Sequence, residues 1–298
     1  MLWQRILTAL ILLPLAVFAI FFLSLKTFSF VVAIIVMIGF WEWTGFVRNL
    51  PFAYRISYVA ISTALMWLVY HYSLPLQYWN GWVFPENFTE LLQIRDGALI
   101  SLLLSCLWWM VAFVLVIVFP RYSQSLIEKT WLMALVGWVI LIPTWVALTG
   151  IRSIGSALDF YRGGGLLLFA LCLVWAADTG AFISGKMLGK HKLAPHVSPK
   201  KTWEGVLGGI ALATAVAFIA VKQLAIPESQ FPGLVVLIIV IVTFSVIGDL
   251  TESIFKRLSG VKDSGNILPG HGGILDRIDG LTAAMPLCLI GFALLGIS

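Results

Sequence analysis

The sequence predicts an all-α, polytopic membrane protein, with about nine transmembrane helices and a polar cavity facing the cytoplasm. Three observations predict it. The 298-residue chain is 60% hydrophobic and 11% charged, with a mean hydropathy of +1.00, whereas a soluble domain is about half apolar and a quarter charged. Apolar segments recur along it at lengths approaching the ~20 residues needed to cross a bilayer. Two polar stretches, 178–205 and 249–279, interrupt that pattern in the second half.

Taken in order, residues 1–25 place Arg5 before a long apolar run. The run is too long for a signal-peptide core and no small-x-small cleavage site follows, so it reads as the first membrane helix. Eight further apolar segments follow at 28–46, 56–72, 98–119, 131–149, 165–184, 205–224, 233–250 and 280–297, the third and eighth of the nine being short. Glu42, between Trp41 and Trp43, reads as an interfacial anchor, with a substrate contact as the second reading. Residues 73–97, with Trp79, Trp82, Pro75, Pro85, Glu86 and Glu90, read as an outward segment lying in the interface and carrying no chemistry.

Nine spans sort the loops into two sets. One holds 14 basic residues and the other 5, which accounts for all 19. The positive-inside rule then puts the N-terminus and both polar stretches in the cytoplasm and the C-terminus outside. A net charge of +5 admits nucleic acid as a partner, but 13 Trp and 20 Phe fit membrane anchoring better, so none is expected. Cys106, Cys172 and Cys288 all lie in apolar spans without ligand spacing, as small core residues do. No internal repeat divides the chain. It reads as one membrane domain, with a scaffold over 1–160 and a catalytic half over 161–298.

Residues 249–279 carry five carboxylates and four bases. Asp249, Glu252, Ser253 and Lys256 fall at i, i+3, i+4 and i+7, one face of a helix. Gly260, Gly265, Pro269, Gly270, Gly272 and Gly273 then form a loop whose backbone can approach a ligand closely. Asp276 and Asp279 follow at i, i+3 on the start of another helix. Carboxylates from two helix ends, a glycine-rich turn and Lys/Arg side chains suit a divalent metal and a polyphosphate. The alternative is a solvated, charge-balanced loop, which the adjoining apolar spans disfavour because unpaired charge is costly there.

In the stretch 178–205, Asp178 lies inside an apolar span, facing a polar cavity, a cation or a basic partner. A helix-packing aspartate paired with a lysine is the alternative. Five lysines follow, and Ser198-Pro199 reads as a helix start with Lys200, Lys201 and Thr202 around it, an arrangement that favours phosphate. A loop touching anionic lipid heads is the competing reading. His191 and His196 lack zinc spacing, and His71 reads as interfacial. His271, within Pro-Gly-His-Gly-Gly, is the histidine placed for catalysis or nucleotide contact.

The run Ser253-x-x-Lys256-Arg257, then Lys262-Asp263, then Pro269-x-His271-Gly272-Gly273-x-x-Asp276-Arg277-x-Asp279, resembles the signature of CDP-diacylglycerol synthases, also called phosphatidate cytidylyltransferases. It covers about 27 positions without departure. The Asp178-Thr-Gly-Ala and Ser198-Pro-Lys-Lys-Thr-x-Glu-Gly strings are similar to the same family, so the resemblance spans roughly the last two-fifths of the chain. It implies transfer of the cytidylyl group of CTP to phosphatidic acid, giving CDP-diacylglycerol and pyrophosphate, in a bacterial-type inner (plasma) membrane. Under it, Mg²⁺ falls to Asp249, Asp276 and Asp279, with Asp178 and Glu252 as further ligands and a second cation left open. Lys256, Arg257, Lys262 and Arg277 would neutralise phosphates, and His271 would act in catalysis. Ser198, Lys200, Lys201 and Thr202 would take the phosphatidate head group, with Ser253, Gly272 and Gly273 completing the substrate site. Membrane lipids are expected partners, and a homodimer is left open. Two rivals stand beside this reading. A CDP-alcohol phosphotransferase would show Asp-Gly-x-x-Ala-Arg, but Asp279-Gly280 is followed by Leu-Thr-Ala-Ala. A cation-coupled transporter would leave the polar loop without a task.

Overall fold

The computed structural model describes residues 2–47, 49–72, 97–119, 129–155, 159 and 161–297. The expected outward segment except Gly97, and Arg48, Arg95 and Arg121 of the charge count, lie outside them. In chain order the long helices are α1 (Leu2–Phe22), α2 (Leu25–Trp43), α3 (Phe52–Tyr72), α4 (Gly97–Val118), α5 (Thr130–Ser153), α6 (Arg162–Leu188), α7 (Trp203–Gln223), α8 (Phe231–Ser259) and α9 (Leu275–Leu295). Eight of them, α2 to α9, are long and apolar enough to cross a membrane, α2 and α8 each counted with an adjoining 3₁₀ turn. The span expected at 233–250 runs on to Ser259 because its polar face, from Asp249 to Lys256, is helical too.

One departure from the sequence reading is a β-hairpin. Strand β1 (Lys192–Ala194) pairs antiparallel with β2 (Ser198–Thr202), Lys192 opposite Thr202 and Ala194 opposite Ser198. Ser198-Pro199 therefore does not start a helix. The helix starts at Trp203, where the Thr202 hydroxyl accepts from Gly205 N at 3.2 Å as its cap. Pro199 costs nothing in a two-stranded hairpin, where its missing N–H can fall on an unpaired edge.

Small residues bring the helices close. A side chain at Gly209 of α7 would begin 2.7 Å from the Ala177 carbonyl of α6. The α8–α9 pair is locked the same way, since a Cβ at Gly248 would meet Asp279 O at 2.5 Å and one at Gly280 would meet Ser245 Oγ at 2.5 Å. Helix α5 packs against α2, α4, α6 and α9, and one buried core runs from Phe40 through Leu141 and Leu166 to Phe292. Cys106, Cys172 and Cys288 sit on α4, α6 and α9 as free thiols.

Candidate active site

The two polar stretches meet. Lys201 Nζ, on β2, lies 2.7 Å from Asp249 Oδ2, on α8. Ser253, one turn further along α8, donates its hydroxyl to Asp249 Oδ1 at 3.3 Å. The close approach at Gly248 and Gly280 sets Asp279 beside Asp249, and Asp279 Oδ1 also accepts from Gly280 N at 2.8 Å. Asp178 of α6 faces the charges of Lys201, Asp249 and Arg277. Asp178 and Arg277 are exposed while Lys201 and Asp249 are half-buried, so these four form an accessible rim. Asp178 itself makes no ion pair among the described residues.

Beneath the rim is a buried ionic cluster. Lys256 Nζ lies 2.7 Å from Asp276 Oδ1 and 3.3 Å from Glu252 Oε1. The Lys256, Glu252 and Asp276 side chains are only 11%, 7% and 5% exposed, so their charges depend on one another for stabilisation. Asp276 Oδ2 accepts three more bonds, from Ser264 N at 2.9 Å, Ser264 Oγ at 3.0 Å and Gly273 N at 2.8 Å. Both its oxygens are thus taken by the fold. Lys256, expected to neutralise phosphate, is likewise held by its two carboxylates.

The loop joining α8 to α9 is shaped by its glycines. Gly260, at φ 75°, ends α8 as Gly260 N donates to Arg257 O and Val261 N to Lys256 O. Pro269-Gly270 forms a tight turn in which His271 N donates to Leu268 O at 2.9 Å, and Leu268 and Gly272 exchange backbone bonds. His271 therefore sits on a turn rather than on a helix face.

Glu42 requires a correction. It is 3% exposed and not an interfacial anchor. Its Oε1 accepts from Ile274 N at 3.0 Å and its Oε2 from Leu275 N at 2.8 Å, and Ser264 Oγ lies 3.1 Å from Oε2, sharing its one proton between Glu42 and Asp276. A Cβ at Gly265 would begin 2.6 Å from Glu42 Oε1, which explains a glycine at that point. The signal was present in the sequence, because a carboxylate in an apolar span calls for an internal partner. The flanking tryptophans masked it.

Other expected residues are placed plainly. Lys200, Arg257 and Lys262 are exposed and make no ion pair among the described residues. The Thr202 hydroxyl is spent on the helix cap, and Ser198 lies on the hairpin. Gly272 and Gly273 wrap Asp276, Gly273 through its N–H. Among the described residues no three His, Cys, Asp or Glu converge into a metal-holding group as they stand. The donors that fit a hard cation are Asp249 and Asp279, whose charges act on one another across the α8–α9 contact, with Asp178 in the field of Asp249. Asp276 and Glu252 are engaged by Lys256.

Comparison with known proteins gives a consistent picture. The cytidylyltransferase family model matches residues 3–295. A phosphatidate cytidylyltransferase of Haemophilus influenzae is 38% identical over 291 residues, 96% of this chain and 96% of that protein. One of Pseudomonas aeruginosa is 40% identical over 286 residues, covering 96% of this chain and 95% of the relative. One of Staphylococcus epidermidis is 49% identical over 122 residues, 41% of this chain and 46% of the relative.

Proposed function

The chain belongs to the cytidylyltransferase family, and from that premise we propose that it transfers the cytidylyl group of CTP to phosphatidic acid. The products are pyrophosphate and CDP-diacylglycerol, a precursor for phospholipid synthesis. The observation that carries this to particular residues is the 2.7 Å Lys201–Asp249 contact, which gives both polar stretches one site.

A phosphatidate oxygen attacks the α-phosphorus of CTP, a new P–O bond forms, and the bond to the β-phosphate breaks as pyrophosphate leaves. Phosphatidate arrives as an oxyanion, so the protein's task is to position two anions and offset their repulsion. Exposed Arg277 presents a planar fork suited to a phosphate. Lys201 supplies a second positive charge and exchanges its contact with Asp249 for a phosphate oxygen as substrate enters. Side chains alternate along a strand, so Lys200 is directed away from Lys201 and meets the lipid head-group layer. Asp249 and Asp279, with Asp178, would hold Mg²⁺, which when bound neutralises charge on the triphosphate. Glu252, Lys256 and Asp276 hold the helix ends beneath. The acyl chains stay in the bilayer beside the catalytic half, residues 161–298, which rests on the scaffold of 1–160.

The 14-to-5 division of basic residues supports a cytoplasmic N-terminus and site, with the C-terminus outside. The deciding experiment incubates purified protein with labelled CTP and phosphatidate, and separately with CDP-diacylglycerol and an alcohol. Lipid-soluble label in the first arm alone supports the reading. CMP release in the second arm alone would identify a CDP-alcohol phosphotransferase. If neither reaction occurs and the protein moves a cation across vesicles, it is a transporter.

A further inference from the structure

Glu42 belongs to the half of the chain farthest in sequence from the site, yet its carboxylate meets three donors at the start of α9 and in the loop before it. The residue preceding α9, Ile274, makes no side-chain capping hydrogen bond to that helix. Glu42 satisfies the free Ile274 and Leu275 N–H groups instead, from 232 and 233 positions away, and its negative charge complements the helix N-terminus. The same end of α2 grips α8. Trp43 packs edge-on against Phe255, ring centroids 5.1 Å apart, and Phe46 O accepts from Ser259 Oγ at 2.6 Å. One end of α2 thus fastens α8 and α9, the helices that carry Asp249 and Asp279.

We infer that Glu42 is a positioning residue for the transfer reaction, fixing the start of α9 so that Arg277 and Asp279 face Asp249 on α8. This rests on the transferase reading above. Glu42 is too buried to touch substrate, so it acts through the helix start it holds. In E42Q an acceptor oxygen becomes an NH₂ donor facing a backbone N–H, and the carboxylate charge is lost. The first turn of α9 then shifts while the apolar packing of α2 stays intact. A misplacement of about 1 Å can cost ~100-fold in rate without removing any reacting group.

The experiment compares wild type, E42Q and E42D in the CTP-to-phosphatidate assay, with thermal melting and amide exchange measured on the same preparations. E42Q is expected to lower kcat per folded molecule ~100-fold, with KM for both substrates within about threefold of wild type. Amide exchange should quicken over 264–277 with little change elsewhere. E42D, which keeps the charge on a shorter arm, should recover about tenfold of the loss. E42Q with kcat within about threefold of wild type would overturn the inference. So would a loss that merely follows the folded fraction. If E42Q does not fold, E42D and S264A decide. Each should lower kcat by about tenfold, and wild-type kcat in both would overturn it. Absence of transfer by the wild-type protein would defeat the transferase reading and this inference together, whereas equal transfer by wild type and E42Q defeats this inference alone.

Discussion

Lys201 Nζ and Asp249 Oδ2 lie 2.7 Å apart, and this contact ties the hairpin of one polar stretch to the helix face of the other. Both side chains remain accessible, 26% and 36% exposed, so the pair itself adds no more than about 1 kcal/mol to stability. Its value lies in location, because it marks where a cation or a phosphate exchanges partners with the protein.

The aspartates divide into two kinds. Asp249→Asn and Asp279→Asn should leave a folded protein and lower kcat at least ~100-fold, with a raised Mg²⁺ requirement. Asp276→Asn should lose activity through a loosened loop, since it leaves Lys256 with Glu252 as its one carboxylate partner and weakens the bonds from Ser264 and Gly273. Melting curves beside Mg²⁺ titrations separate the two. A normal melt for Asp276→Asn with a raised Mg²⁺ requirement would return Asp276 to the ligand set.

The buried cluster should behave as a unit. Removing Lys256 alone, as in Lys256→Met, leaves Glu252 and Asp276 unpaired and should destabilise by about 3–5 kcal/mol. Replacing Glu252 with Gln in that background should recover part of the loss, because one stranded charge is gone. Strictly additive effects in denaturant unfolding would show that the contacts are independent.

Topology is checked by labelling. Single cysteines placed at 185–204 and at 256–275 should react with an impermeant reagent only from the cytoplasmic side, and a C-terminal reporter should lie outside. Labelling of the two stretches from opposite faces would contradict the shared site.

Transfer should be direct. The native thiols lie within α4, α6 and α9, and Ser253 donates at a long 3.3 Å to Asp249, a carboxylate already paired with Lys201. His271, on its tight turn, is the remaining nucleophile to test. A single displacement inverts configuration at the α-phosphorus and exchanges no labelled pyrophosphate into CTP without phosphatidate. Rapid exchange that disappears in His271→Ala would show a cytidylyl-histidine intermediate.

The lengths of the apolar runs made the helices legible, because each span must satisfy its own backbone in the bilayer, and eight of those among the described residues are long and apolar enough to cross it. The shared face of Asp249, Glu252, Ser253 and Lys256 was legible for the same local reason, and it appears as the Ser253–Asp249 and Lys256–Glu252 contacts. The hairpin was not, since Ser198-Pro199 matches a helix start as well as a strand edge and only the pairing with 192–194 decides. The split between Asp276 and Asp279 was hidden too. Their i, i+3 spacing predicts a common face, but Asp276 in the first turn bends back to Gly273 N and Lys256 while Asp279 accepts from Gly280 N and forms no ion pair with Lys256 among the described residues. Glu42 depends on donors more than 220 positions away, which no local pattern encodes.

The most direct measurement gives the purified protein CTP labelled once in the cytidine and once in the α-phosphate, with a third preparation labelled in the γ-phosphate. Cytidine and α-phosphate label should enter the lipid phase in equal amounts when phosphatidate and Mg²⁺ are present, while γ-label leaves as pyrophosphate. Transfer of γ-label to the lipid, or failure of cytidine and α-label to travel together, would contradict the account.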